Sequence, residues 1–375
     1  MKSNYIPVNE PLLEGNEKKY LAECIDSGWI SSDGPFIKTF EQKFAKQMGR
    51  KYGVAVTNGT AAIDAAVDAL DIGPGDEVIL PAFTIISCIL QIVRSGATPV
   101  LVDSDPLTWN MDVSQIENKI TPRTKAIMVV HIYGLPVDMD PVLKICNKYN
   151  LKLIEDAAEV IGQTYNGKPC GSFGHISTVS FYPNKHITTG EGGMILTDDE
   201  NLAEICRGLR NLCFQPNKRF VHERLGWNLR MTNIQAALGL AQIEKIEQFI
   251  QKKRDIGYQY TKLLKDISCI QLPLVRTDFA ENIYWVYGIV LDLKKKIDSE
   301  TIIKKLSQAG IGARPFFCPM HQQPVLKKMG FFSNQKYPVA ERMYKYGFYI
   351  PSGLSLERSQ IDRVGKNIKL IIKNI

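Results

Sequence analysis

No stretch of this sequence stays apolar long enough to cross a bilayer, and the opening Met1 to Pro11 has no apolar run of the kind a secretory leader carries. Neither a membrane span nor a leader is expected. Basic residues are not clustered. The net charge is +7, and Lys and Arg are interleaved with acids in stretches such as Gln242 to Arg254, which reads as a solvated helix face and not as a nucleic-acid surface. A mild positive field still suits a small anionic substrate. The cysteines Cys24, Cys88, Cys146, Cys170, Cys206, Cys213, Cys269 and Cys318 show neither zinc-knuckle nor redox spacing. Several lie in apolar surroundings, as Cys88 does in Ile-Ile-Ser-Cys-Ile-Leu, and read as small reduced hydrophobes of a cytoplasmic protein. No His, Asp and Glu spacing points to a metal.

What is present is alternation. The chain has 375 residues, too many for one ordinary core, so a large domain with an N-terminal arm (1–240) and a smaller one (241–375) are expected. Apolar, strand-like runs at Tyr52–Val56, Glu77–Leu80, Pro99–Val102, Ala126–Val130, Leu151–Ile154, Ile176–Phe181 and Met194–Leu196 are separated by helical patterns at Ala61–Leu70, Ile85–Ser95, Val113–Ile120 and Pro141–Asn150. This is an α/β pattern, with a mostly parallel sheet covered by helices on both faces. Thr232 to Leu264 reads as one long helix with a break at Gly257. A second α/β unit follows, with strands at Tyr284–Leu291 and Ile311–Phe317 and helices at Ser299–Ala309 and Gln360–Ile372.

Three segments carry chemistry. Leu151-Lys-Leu-Ile-Glu155-Asp156-Ala-Ala-Glu159 puts acids just past a buried strand, where ligands of open α/β sheets bind, and the alternative is an ordinary helix cap. Ser180-Phe-Tyr-Pro-Asn184-Lys185 leads into Thr188-Thr-Gly-Glu-Gly-Gly193. A lysine in a pocket can lose its proton and attack a carbonyl, and the alternative is a tight turn with a surface lysine. The glycines follow Lys185 and precede a strand, so this is neither a dinucleotide fingerprint nor a Walker loop. Thr57-Asn58-Gly59-Thr60 joins a strand to a helix, a start suited to a phosphate, although Thr and Asn also cap ordinary helices. A phosphate cradle, an acid at a strand end and a lysine 29 residues after Asp156 together meet the needs of pyridoxal phosphate.

These motifs, with Asn228-Leu-Arg230-Met-Thr232-Asn233, resemble the DegT/DnrJ/EryC1/StrS aminotransferases over nearly the whole chain. The resemblance implies the fold type I, aspartate-aminotransferase-like architecture. It implies that Lys185 condenses with the cofactor aldehyde and Asp156 pairs with the ring nitrogen. Gly59, Thr60 and Ser180 would bind the phosphate, with Asn228 reaching in from a second copy of a homodimer with shared active sites. Phe83 would stack on the ring and Glu159 would lie near its hydroxyl. Pro7-Val-Asn-Glu-Pro11, the segment around Trp29, His131-Ile-Tyr133-Gly134 and Arg314-Pro-Phe-Phe317 look closest to the GDP-perosamine synthase branch. That places Trp29, His131, Tyr133, Arg314, Phe317 and His321 on the substrate side.

The implied reaction converts a nucleotide-linked 4-keto-6-deoxyhexose to the 4-amino sugar. Glutamate is the donor, and the cofactor passes through its pyridoxamine phosphate form. UDP- or dTDP-linked glucose-derived substrates are the alternative. A sugar C3 dehydratase is disfavoured because relatives of that type carry His where Lys185 stands. A regulatory protein that binds the cofactor without catalysis would lack Lys185 or Asp156. A nicotinamide oxidoreductase would need glycines that the first βα turn lacks.

Overall fold

The computed structural model describes residues 5–215, 217–292 and 297–373. The chain opens with helices α1 (Glu17–Ser27) and α2 (Pro35–Gln47), which start after Asn16 and Gly34. Then β1 (Tyr52–Val56), α3 (Gly59–Ala69), β2 (Glu77–Pro81), α4 (Ser87–Arg94), β3 (Thr98–Val102), β4 (Thr124–Val130), α5 (Met139–Tyr149) and β5 (Lys152–Asp156) alternate. A small hairpin, β6 (Thr164–Tyr165) and β7 (Lys168–Pro169), precedes β8 (Ile176–Ser180), β9 (Gly193–Thr197), α6 (Glu200–Arg210) and α7 (Asn233–Ile243).

The seven-stranded sheet has the order β1-β9-β8-β5-β4-β2-β3. All its pairs are parallel except those of β9, which runs antiparallel to both β1 and β8. The chain reverses into β9 through the Thr189–Gly193 loop and not through a helix, so a crossover is absent there. Strand alternation sends Val78, Leu80, Met128 and Val130 to the face covered by α3, α4 and α6. Ile79, Ile127, Val129 and Leu153 go to the face covered by α2, α5 and α7. The carboxyl ends of β1, β2, β4, β5 and β8 therefore open on one side of the sheet, the side where ligands of this architecture bind.

The rest of the chain runs α8 (Ile246–Leu264), β10 (Ile270–Gln271), β11 (Tyr287–Leu291), α9 (Ser299–Gln308), β12 (Arg314–Pro315), α10 (Pro324–Lys328), α11 (Pro338–Tyr346), β13 (Gly347–Ile350) and α12 (Arg358–Lys373). The second sheet is antiparallel, in the order β10-β11-β13-β12. Helix α8 belongs to both bodies. Ile246, Phe249 and Ile250 pack into the core of the large sheet, and Ile256, Tyr260 and Leu264 into that of the small one. The N-terminal arm crosses to the second body too, since Ile6 bonds through its backbone to Gly310 (2.9 Å) and Gly312 (2.8 Å). Among the described residues no helix is long and apolar enough to cross a membrane.

Four sequence expectations change. Val113–Ile120 forms two short 3₁₀ turns and no α-helix, because the Asp112 carboxylate accepts from Ser114 N (3.1 Å), Ser114 Oγ (2.6 Å) and Gln115 Nε2 (2.7 Å) and locks a tight turn. The strand expected over 311–317 shrinks to Arg314–Pro315, where Pro315 cannot donate to a ladder. The strand expected from Tyr284 begins at Tyr287, after a residue held at φ +46°. The long helix breaks between Ile243 and Ile246, while Gly257 stays helical inside α8.

Gly257 is needed for a different reason, since a Cβ there would come within 2.4 Å of the buried Tyr284 ring. In a helix interior Gly→Ala ordinarily adds about 1 kcal/mol of stability. The expected outcome of Gly257→Ala is the opposite, a loss of roughly 1–3 kcal/mol by urea unfolding, because overpacking outweighs propensity. A more stable variant would show that the contact is soft.

Candidate active site

A cavity of about 590 Å³ opens at the carboxyl ends of β1, β5 and β8. One end is the start of α3. Asn58 caps that helix, its Oδ1 accepting from Ala61 N (2.8 Å), so the amides of Gly59 and Thr60 lie in the first turn, where no carbonyl of the helix can reach them. Gly59 faces Ser180 so closely that a Cβ on it would stand 2.7 Å from Ser180 Cβ. Only glycine lets the helix start and the end of β8 close to that distance. Thr60 Oγ1 shares a hydrogen bond with Ser87 Oγ (2.8 Å). Two amides without an intrahelical partner, hydroxyls and a helix N-terminus could hold a phosphate.

The other end is titratable. Asp156 closes β5, and its Oδ1 accepts from Ala158 N (3.0 Å) while Cys88 Sγ donates to Oδ2 (3.4 Å). Glu159 Oε2 accepts from Tyr133 N (2.9 Å), and its Oε1 lies 3.8 Å from Lys185 Nζ. The Lys185 loop turns tightly, with Lys185 N donating to Tyr182 O (2.9 Å), and Nζ sits 3.6 Å from the centre of the Trp285 ring. Burial lowers the Lys185 pKa, against the pull of Glu159 and Asp156. Burial raises Asp156, against the Ala158 amide and Lys185, and raises Glu159 to about 8, against Lys185 and the Tyr133 amide.

The fit to pyridoxal phosphate is visible in what the walls lack. Thr178 Oγ1 and Asn184 Oδ1 are buried at this cavity with no protein partner, so the walls are built for a polar occupant. The cradle, the acid at the strand end and the lysine line one cavity, where the cofactor's phosphate, ring nitrogen and aldehyde would each find a partner.

Gly59, Thr60, Asp156, Glu159, Ser180, Lys185 and Phe317 all line this cavity. Phe83 does not. Its ring is fully buried against Phe316, Phe317 and Tyr133, at centroid distances of 5.7–6.0 Å, and Ile85, two residues on and 44% exposed, stands at the wall instead. His131 is buried within a structural network. Val137 N–H donates to its Nδ1 (3.0 Å), so the ring proton is on Nε2, facing Glu155 Oε1 (3.0 Å). Glu155 also accepts from Phe173 N (2.8 Å), Gly174 N (3.0 Å) and Ser177 Oγ (3.0 Å). Burial pushes its pKa up, but His131 and the amides of Gly171 and Gly174 bring it down to about 2. His321 is likewise buried, bonded through Nε2 to Glu341 (3.0 Å) with its ring against Tyr337. Tyr133 stands behind the wall, packed on Phe316 and Phe317.

Trp29 is half exposed, and its carbonyl accepts from Asn233 Nδ2 (2.8 Å) away from the cavity. Arg314 is exposed on β12, in register with Tyr349, which does line the cavity. Asn228 is exposed and bridges by its backbone to Asn211, while the next residue, Leu229, lines the cavity. The main residues that sequence reasoning missed are Trp285 and Tyr349. The aromatic run Tyr284-Trp285-Val-Tyr287 ahead of β11 was the available signal for the first.

The raised Glu159 acid has a consequence for the cofactor-free protein. A carboxyl whose folded pKa lies above its unfolded value contributes stability below about pH 4.5, and that stability is lost as pH rises through about 8. Urea midpoints of the apo-protein should therefore fall between pH 5 and 8 more in wild type than in Glu159→Gln. Equal slopes in the two proteins would place the proton elsewhere.

The family model of the DegT/DnrJ/EryC1/StrS aminotransferases matches residues 11–369. The chain is 44% identical to the GDP-perosamine synthase of Caulobacter vibrioides, over 96% of each chain. It is 43% identical to that of Escherichia coli O157:H7, over 97% of this chain and 98% of the other. Among solved structures, a putative sugar aminotransferase of Streptococcus pneumoniae in its PMP form superposes with a TM-score of 0.91 at 26% identity, covering 99% of this chain and 98% of the other. With the lysine, the acid and the phosphate cradle in one cavity, this chain belongs to the DegT/DnrJ/EryC1/StrS aminotransferase family.

Proposed function

We propose that this chain is a pyridoxal-phosphate-dependent 4-aminotransferase of a nucleotide-linked 4-keto-6-deoxyhexose, with GDP as the nucleotide and glutamate as the amino donor. The observation that carries the reading is the convergence of Lys185, Glu159 and Asp156 in a cavity that ends at the open start of α3. Gly59, Thr60 and Ser180 would hold the phosphate, Asp156 the ring nitrogen and Lys185 the aldehyde carbon. Glu159, a protonated carboxyl at neutral pH, would donate to the ring hydroxyl. Bound there, the cofactor supplies an electron sink for the carbon that loses its proton. Lys185 is suited to carry that proton, because burial weakens the ammonium and frees Nζ to act as a base. The Trp285 ring over Nζ keeps water from it.

The names of the two relatives support the choice of GDP. Arg314, exposed and in register with the cavity-lining Tyr349, would meet the diphosphate. Asn228, exposed next to a cavity-lining residue, supports a homodimer in which it serves the second copy's cofactor phosphate. Eight free cysteines support a place in the reducing cytoplasm.

Steady-state kinetics with glutamate and the GDP-, UDP- and dTDP-linked 4-keto-6-deoxy sugars test the substrate. The expected result is a kcat/KM at least about tenfold higher for the GDP form, which corresponds to a little over 1 kcal/mol of transition-state binding. A preference for the UDP or dTDP form would overturn the nucleotide and keep the enzyme class. Turnover of free keto acids alone would overturn the class.

A further inference from the structure

Lys253 is the most deeply buried lysine of α8, 1% exposed, at the point where that helix passes from one core to the other. Among the described residues no carboxylate lies within ion-pair distance of it. A leucine or methionine would serve if the position were only a spacer, because an isolated buried ammonium is unfavourable. What Lys253 does is donate to two main-chain carbonyls, Trp285 O (2.8 Å) and Ser352 O (2.6 Å). Tyr260, two turns on, donates to the neighbouring Pro351 O (2.8 Å), so α8 grips the segment after β13 twice.

Trp285 is held at its other end as well. Its indole Nε1 donates to Asn184 O (2.8 Å), the residue before Lys185, and its ring lies 3.6 Å from Lys185 Nζ. A line of contacts therefore runs from the junction of the two bodies to the catalytic amine: Lys253 to the Trp285 carbonyl, the Trp285 indole to the Lys185 loop, and the ring to Nζ. We propose that Lys253 is a positioning residue for Lys185, acting through Trp285. It fixes the ring that confines Nζ, and it ties that ring to the segment after β13, so that the small body and the lysine loop keep one geometry. The groups that share this interior fit the role. His186 is buried and neutral, its pKa lowered to about 3 by burial and by Lys253. Lys253 itself is lowered to about 7 by burial and then by Lys185. The cluster therefore resists collecting positive charge beside the lysine that must act as a base.

The proposal does not depend on which nucleotide the enzyme uses, because it is read on the cofactor-free protein. Apo-protein is mixed with pyridoxal phosphate and the visible absorption is followed. In parallel, acetic anhydride labelling of Lys185 in apo-protein is scored by peptide mass spectrometry. Lys253→Met removes both hydrogen bonds at similar volume. The expected result is about tenfold slower cofactor capture, the scale of losing one or two buried hydrogen bonds, with faster labelling of Lys185. In a Trp285→Leu background the same substitution should change neither readout further, because the intermediary is gone. If Lys253→Met does not fold, Lys253→Leu, which also removes both hydrogen bonds, is carried through the same two backgrounds and read the same way. Unchanged capture and labelling, or an effect that persists undiminished in Trp285→Leu, would overturn the proposal.

Discussion

The structure is organised around one electrostatic constraint, a lysine and two carboxyls confined in one cavity at the carboxyl ends of parallel strands. Lys185, Glu159 and Asp156 are each fully or nearly withdrawn from water, and each shifts toward its neutral form because of it. Leaving one member of such a set unpaired typically costs about 3–5 kcal/mol, so their placement has to be held by the scaffold. The sheet supplies that hold. Asp156 ends a strand paired on both sides, the Glu159 carboxyl accepts from the Tyr133 amide, and the Lys185 loop is closed on Tyr182.

Behind the cavity a second buried acid stabilises the first. Glu155 is adjacent to Asp156 in β5 and so points to the opposite face of the sheet, where His131, Ser177 and the amides of the 171–174 loop satisfy it. That network fixes the end of β5, and with it the direction of Asp156. His131 N also donates to Asp156 O (3.2 Å), which ties β4 to the same point. Two neighbouring acids thus have separate surroundings, one ionised within a structural network, the other lining the cavity.

Much of the cofactor end was legible in the sequence because its parts are local. Asn58-Gly59-Thr60 sits at a strand-to-helix turn, and Asp156 and Lys185 follow strands whose apolar runs mark them. The order of strands in the sheet, with β9 inserted antiparallel, was not legible, because β9 is as apolar as its parallel neighbours. The substrate side was harder for a physical reason. Trp285 and Tyr349 reach the cavity from the small body, about 100 residues or more from Lys185 in the chain, where periodicity carries no distance information. His131 and His321 drew notice as histidines, but each is bonded in the interior to a carboxylate brought near only by folding, Glu155 and Glu341. Phe83 and Ile85 lie in an irregular segment, where strand alternation does not say which side chain faces the ligand. Helix α1 buries only Glu17 and Cys24 and leaves little pattern, whereas α2 carries an apolar stripe at Ile37, Phe40, Phe44 and Ala45 whose helical spacing was an available signal.

The direct test is borohydride reduction of the protein loaded with pyridoxal phosphate, followed by digestion and mass spectrometry of the peptide that gains the cofactor's mass. The cavity geometry predicts a single modified lysine, Lys185, with loss of the visible absorption on reduction. Modification of another lysine, with Lys185 recovered unmodified, would contradict the assignment of the site.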